Sequence, residues 1–216
     1  MADATERGYD KTLYHGTHAQ DMTQIDPNKV DLGLHVGTPE QAANRLKDIA
    51  DPRARDTALG RHASYYDEGA NILPLRVRAN NPLELKDVGN WRDSHQVLTA
   101  LRDSPAFVKN ADKIEDMLQK ADELLVQHEE IYSGQFKGFS WSESNANREL
   151  LDEIRSTIQD EGYDSIRYLN EIENTYGARS AGDPYSYIIL DSADVIGGIS
   201  LNPRFRDGGA VKRAQI

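Results

Sequence analysis

At 216 residues the chain is long enough for one real hydrophobic core, and its net charge of −11 gives no basic face with which to track a nucleic-acid backbone. It has no cysteine, which excludes a disulfide framework and any thiolate zinc site. Hydrophobic residues make up 38% and the mean hydropathy is −0.69, as expected of a soluble protein with a modest core.

The opening residues, Met1 to Lys11, form a polar arm with no apolar stretch of the signal-peptide kind. No apolar run approaches the roughly 20 residues that span a bilayer. A cytoplasmic location is therefore expected, with no membrane partner. Thr12-Leu13-Tyr14-His15 reads as a strand ending at Gly16, and residues 18–32 as a loop with the turn signal Asp26-Pro27-Asn28. Leu34-His35-Val36 is a second short strand, closed by Gly37. Thr38-Pro39-Glu40-Gln41 starts a helix, with Thr38 as N-cap and Pro39 at the first helical position, and Ala42, Ala43, Leu46 and Ile49 face inward.

Residues 51–70 are broken by Pro52, Gly60 and Gly69 and give no clear pattern. Asn71 to Ala79 alternates as a strand does, Asn80-Asn81-Pro82 turns, and Leu83-Glu84-Leu85 is extended. From Trp91 to about His128 the spacing is helical. Val97, Leu98 and Leu101 mark one helix; Ile114, Leu118, Ala121, Leu124 and Leu125 mark another. After a loop at Ser133 to Gly138, Ser144 to Glu161 is a helix carried by Leu150, Leu151, Ile154 and Ile158 and stopped at Gly162. Two strands follow, Ser165 to Glu173 and Tyr185 to Asp191, around a loop at 174–184, then an extended piece, Val195 to Leu201, and a basic tail, 202–216. Strands, a helical block, then strands is an α+β order, and residues 1–201 are expected to form one domain.

Three elements offer chemistry. His15 beside Gly16 puts an imidazole at a backbone position that a flat ligand can approach closely, although a lone His-Gly pair is most often a turn. His35, 20 residues on, lies in a second segment of similar build, so the two could face one cleft. His15, His18 and His35 could instead bind a metal, but there is no HExxH and no metal is expected. In a strand through Asn170-Glu171-Ile172-Glu173, Glu171 and Glu173 share a face. Two carboxylates there are either a solvated edge or a pair that orients a ribose hydroxyl and stabilises an oxocarbenium ion.

In this order the elements resemble the ADP-ribosyltransferase superfamily, over roughly residues 12–90 and 160–201. Tyr14-His15-Gly16-Thr17 resembles the first motif of its histidine–tyrosine–glutamate branch. Asn80-Asn81-Pro82-Leu83, Gly162-Tyr163-Asp164-Ser165-Ile166 and Ser186-Tyr187-Ile188-Ile189-Leu190-Asp191 are similar to the transferase domains of phage and mobile-element polyvalent proteins. The resemblance implies a split β-sandwich with a helical insertion at about 91–161 and NAD as substrate. The activity it implies is mono-ADP-ribosyl transfer to a macromolecular target, most simply a protein, by a toxin-like effector in a bacterial host cell. Tyr14, His15, Gly16, Thr17 and His35 would bind NAD: His15 at the nicotinamide-side ribose, the Gly16 backbone at the carboxamide, and His35 where the family has a stacking tyrosine. Glu173, with Glu171 beside it, would be the catalytic acid, alongside His15, and 174–184 a target-recognition loop.

Other readings use the same residues. A transferase fold that binds a nucleotide or partner without chemistry is one. A histidine pair is also similar to the RNA 2′-phosphotransferase branch, which uses basic residues in place of the acid; Arg45, Arg76, Arg78 and Arg167 are the candidates, and the charge of −11 counts against RNA. A helical interaction module built on Asp112 to Glu130 is a third, although alternating charge is more often a solvated face.

Overall fold

The computed structural model describes residues 4–17, 32–50, 71–132, 141–170 and 184–197. Seven strands and four α-helices lie within them: β1 (Lys11–Thr17), β2 (Leu34–Val36), α1 (Pro39–Ala50), β3 (Asn71–Val77), β4 (Pro82–Leu85), α2 (Ser94–Arg102), α3 (Ala111–Tyr132), α4 (Asn145–Asp160), β5 (Ser165–Leu169), β6 (Tyr185–Ile189) and β7 (Val195–Gly197). The fold is α+β, as the sequence order implied.

The strands form two sheets, one ordered β1-β3-β7 and the other β2-β6-β5-β4. All pairings are antiparallel except β4 with β5. The alternation of side chains along each strand sorts the core into two parts. Leu34, Val36, Tyr187 and Ile189 leave the larger sheet on one side and meet Leu73, Leu75 and Val77 of the smaller sheet. Ile166, Tyr168 and Ile188 leave it on the other side and pack under Val97, Leu98, Leu101, Ile114, Leu150 and Ile154 of the helices. The result is three layers: small sheet, large sheet, helices.

The helical block expected as an insertion has a topological job. Parallel neighbours cannot be joined by a hairpin and need a crossover. β4 and β5 are parallel, and α2, α3 and α4 are the chain between them, folded back over one face of the sheet. The two helices read between Trp91 and His128 are present as α2 and α3, and they are divided at Pro105, which lacks an N–H. Ser104 accepts from the Ala106 N–H at 3.3 Å and starts a 3₁₀ turn, Pro105–Asn110, between α2 and α3.

The helix starts follow their caps. Thr38 Oγ1 accepts from the Gln41 N–H at 3.2 Å while Gln41 Oε1 accepts from the Thr38 N–H at 2.7 Å, a reciprocal capping box for α1. Asp93 caps α2 and Ser144 caps α4. Ala42 is buried as expected, whereas Ala43 and Leu46 are half-buried. α4 ends at Gly162, whose φ of +88° is the left-handed turn that favours glycine. Beyond it Asp164 Oδ2 accepts from the Asn80 and Asn81 N–H groups at 2.6 and 3.0 Å and fixes the starts of β4 and β5 side by side.

Gly16 lies inside β1 rather than at its end, and packing requires it there. A Cβ on it would sit 2.5 Å from the Ala42 carbonyl oxygen of α1. Gly16→Ala must push α1 off the strand, so urea unfolding should show a loss of about 1–3 kcal/mol. An unchanged midpoint would mean that α1 does not rest on Gly16.

Candidate functional site

Among the described residues one backbone bridge joins the edges of the two sheets. Tyr14 N–H donates to the Gly37 carbonyl at 2.8 Å, and Gly37 N–H donates to the Tyr14 carbonyl at 3.0 Å. On its other side Tyr14 faces Pro74 of β3 in a pair that exchanges no backbone hydrogen bonds, which leaves both backbone groups of Tyr14 turned to Gly37. In an antiparallel ladder the next bonded pair, two residues along each strand, would be Gly16 with His35. That pair does not form. The His35 carbonyl accepts instead from Nδ1 of His15, at 2.7 Å. Here the sheets split, with a side chain standing in for the ladder. By strand alternation the N–H and C=O of Gly16 then point from the β1 edge toward the β2 side.

The same bond sets the chemistry of His15. A carbonyl only accepts, so Nδ1 carries the proton and Nε2 of the neutral ring is an acceptor. Burial holds the His15 pKa below its ordinary 6.5 and the Arg45 charge adds to this, while the bond to the His35 carbonyl pulls the other way. His15 is thus a neutral ring held in one orientation where the two strands part.

His35 points to the other side of the sheet, toward the helices. Its Nδ1 lies 3.3 Å from the Tyr168 hydroxyl, and its ring stands edge-on to Trp91 and to Tyr168, with centroids 6.4 and 6.3 Å away. Burial, then the charges of Arg45, His15 and Arg92, push its pKa down to about 3. Its Nε2 and the nearby Nε1 of Trp91 are shut from solvent and find no hydrogen-bond partner among the described residues. The expected nicotinamide-stacking position is therefore held by a ring that belongs to an aromatic cluster, with His15 reaching only its backbone.

Tyr14 makes the bridge and Thr17 closes β1 opposite Asn71. Glu171, Glu173, His18 and residues 174–183 lie outside the described residues, as does the tail, 202–216. Of the four arginines weighed for a phosphate pocket, three are engaged elsewhere. Arg76 bonds the Tyr9 carbonyl and Thr5, Arg78 pairs with Asp194 at 2.6 Å, and Arg167 pairs with Glu84 at 2.8 Å and lies over the Tyr185 ring. Arg45 alone of the four acts on the two histidines. Among the described residues no group of three or more His, Cys, Asp or Glu could hold a metal, and no helix is long and apolar enough to cross a membrane.

Sequence reasoning missed Trp91 and Asn147. Asn147 is fully buried; its Oδ1 accepts from the Ser94 N–H at 3.0 Å and its Nδ2 donates to the Arg92 carbonyl at 2.7 Å. It ties the Trp91–Ser94 turn to α4 and so holds Trp91 against His35. A tryptophan just before a helix cap was the one available signal. Compared with protein-family models, curated proteins and solved structures, the chain matches none of them.

Both histidine pKa values are depressed in the folded chain, so unfolding takes up protons below 6.5. Their contribution to stability is complete above that pH and falls as pH drops toward 3, the value to which His35 is pushed. Urea titrations between pH 6.5 and 5 should show stability declining toward acid, by at most about 1.4 kcal/mol per pH unit for each histidine. His35→Gln should flatten that slope by up to one proton. A slope unchanged by the substitution would show that His35 titrates normally.

Proposed function

We propose that the chain is an NAD-dependent mono-ADP-ribosyltransferase that works at the split between its sheets and modifies a macromolecular acceptor, most simply a protein. The observation that carries the reading is the His15–His35 bond, which turns the ladder position of Gly16 into an open donor–acceptor pair beside a neutral imidazole. A primary carboxamide needs that complement: its oxygen takes the Gly16 N–H and its amide hydrogen the Gly16 carbonyl. His15 Nε2 then accepts a hydroxyl of the adjoining ribose.

In the reaction the bond from the ribose anomeric carbon to the nicotinamide nitrogen breaks, and nicotinamide leaves with the electron pair. Positive charge builds on the ribose. Glu173, with Glu171 beside it in sequence, holds the 2′-hydroxyl and stabilises that charge, a preorganised electrostatic contribution. The acceptor's nucleophilic atom bonds to the anomeric carbon and its proton passes to solvent; where no acceptor is present, water takes its place. The resemblance of the motif order to ADP-ribosyltransferases supports this assignment, and with it the reading as an effector acting in a host cell.

The test is nicotinamide release from NAD, with and without a bacterial lysate. Glu173→Ala should cut release by roughly 100-fold or more. His15→Asn keeps a side-chain donor but has no basic ring nitrogen, and should fall similarly while melting near the wild-type temperature. A folded Glu173→Ala chain as active as wild type would sink the acid assignment. NAD binding without release would leave a nucleotide-binding protein and no enzyme.

A further inference from the structure

The strand that carries His35 changes partners at Gly37. Up to Val36 it pairs with β6, with Val36 opposite Tyr187. Gly37 then turns both backbone groups to Tyr14 of β1, so by strand alternation Thr38 is the next residue due to bond β6. Thr38 is engaged by α1 instead: its carbonyl accepts from the Ala42 N–H at 3.0 Å and its N–H donates to Gln41 Oε1 at 2.7 Å. The other end of the same carboxamide replaces the missing rung. Gln41 Nε2 donates at 3.2 Å to the carbonyl of Pro184, the residue before β6. That carbonyl also accepts from the Asn170 N–H at 3.2 Å, and Asn170 Nδ2 donates to Ser186 Oγ at 2.8 Å. Gln41, Asn170 and Ser186 are all buried, where a polar side chain that loses a partner is costly. The cluster lies against the bridge itself: a Cβ on Gly37 would collide with Gln41 Oε1 and stand 3.0 Å from Ser186 Oγ.

We propose that Gln41 is a positioning residue of the split. Its carboxamide stands between the Thr38 N–H and the Pro184 carbonyl as a peptide group would, and braces Gly37 from the β6 side while Tyr14 holds it from the β1 side. The place of Gly37 sets the spacing of β1 and β2 one rung further on, where His15 Nδ1 donates to the His35 carbonyl. Gln41 thus acts through His15 and not on the substrate. Where β2 crosses from one sheet to the other, a side chain replaces a ladder bond on each side: His15 toward β1 and Gln41 toward β6. That Gln41 governs nicotinamide release rests on the NAD reading above; that it braces the bridge does not.

Gln41→Glu keeps an acceptor for the Thr38 N–H, as a capping box allows, and removes the donor to Pro184. Amide hydrogen exchange read by NMR should then find the Tyr14 and Gly37 N–H groups about tenfold less protected than in wild type, the worth of one hydrogen bond. In nicotinamide release the same substitution should lower kcat about tenfold in the wild-type chain and no further in a His15→Asn chain, whereas a merely structural lesion would add to it. Wild-type protection of Tyr14 and Gly37 in a folded Gln41→Glu chain would overturn the proposal, and so would additive losses in the double variant. Should Gln41→Glu fail to fold, the wild-type chain decides: the Gln41 side-chain N–H groups should exchange slowly, and exchange at the rate of an exposed carboxamide would contradict the bond to Pro184. Lost protection in a chain whose wild type releases no nicotinamide would uphold the brace and remove the NAD reading. Nicotinamide release with protection unchanged would do the reverse.

Discussion

The hydrogen bond from His15 Nδ1 to the His35 carbonyl lies where two strands stop pairing, and the rest of the site depends on it. Among the described residues one bridge, Tyr14 with Gly37, joins the sheet edges. Were the ladder to continue, Gly16 and His35 would satisfy each other and the edge would close. Because the imidazole takes the carbonyl, the strands part without orphaning it, and the ring is fixed in the tautomer that leaves Nε2 an acceptor. α1 pressed against Gly16 shapes the same edge, because it needs a residue with no side chain there.

The helical layer extends this logic to the opposite face of the larger sheet. As the crossover between β4 and β5 it must cover that face, and in doing so it sets Trp91 against His35 and against Tyr168 of β5. The two histidines thus divide their tasks. His15 faces the opening with its side chain, while His35 serves the opening with its backbone and the helical side with its ring. Burial keeps both neutral, which suits hydrogen bonding by defined tautomers more than charge attraction.

Much of this was legible in the chain because local chemistry and final packing agree. Thr38-Pro39 and Gln41 announce α1, Gly162 stops α4, and the spacing of Leu150, Leu151, Ile154 and Ile158 marks its buried face. The strand containing His15 and Gly16 was equally plain. What could not be read was long-range. Nothing local says that β4 and β5 are parallel neighbours, so the helical block looked like an insertion. Nothing local says that Gly16 faces α1 or that His35 turns toward Trp91, because both follow from which strand edges meet. Asn147 looked like an ordinary helix-start residue; its side-chain hydrogen bonds reach Arg92, Ser94 and Ser142, the first two far away in sequence.

The most direct test of the central claim is amide hydrogen exchange at Gly16, followed by NMR with and without a non-hydrolysable NAD analogue. If the Gly16 N–H is the open edge donor that receives the carboxamide, it exchanges fast in the free chain and slows markedly when the analogue binds. A Gly16 amide already protected in the free chain, or left unchanged by an analogue that binds, would contradict the account.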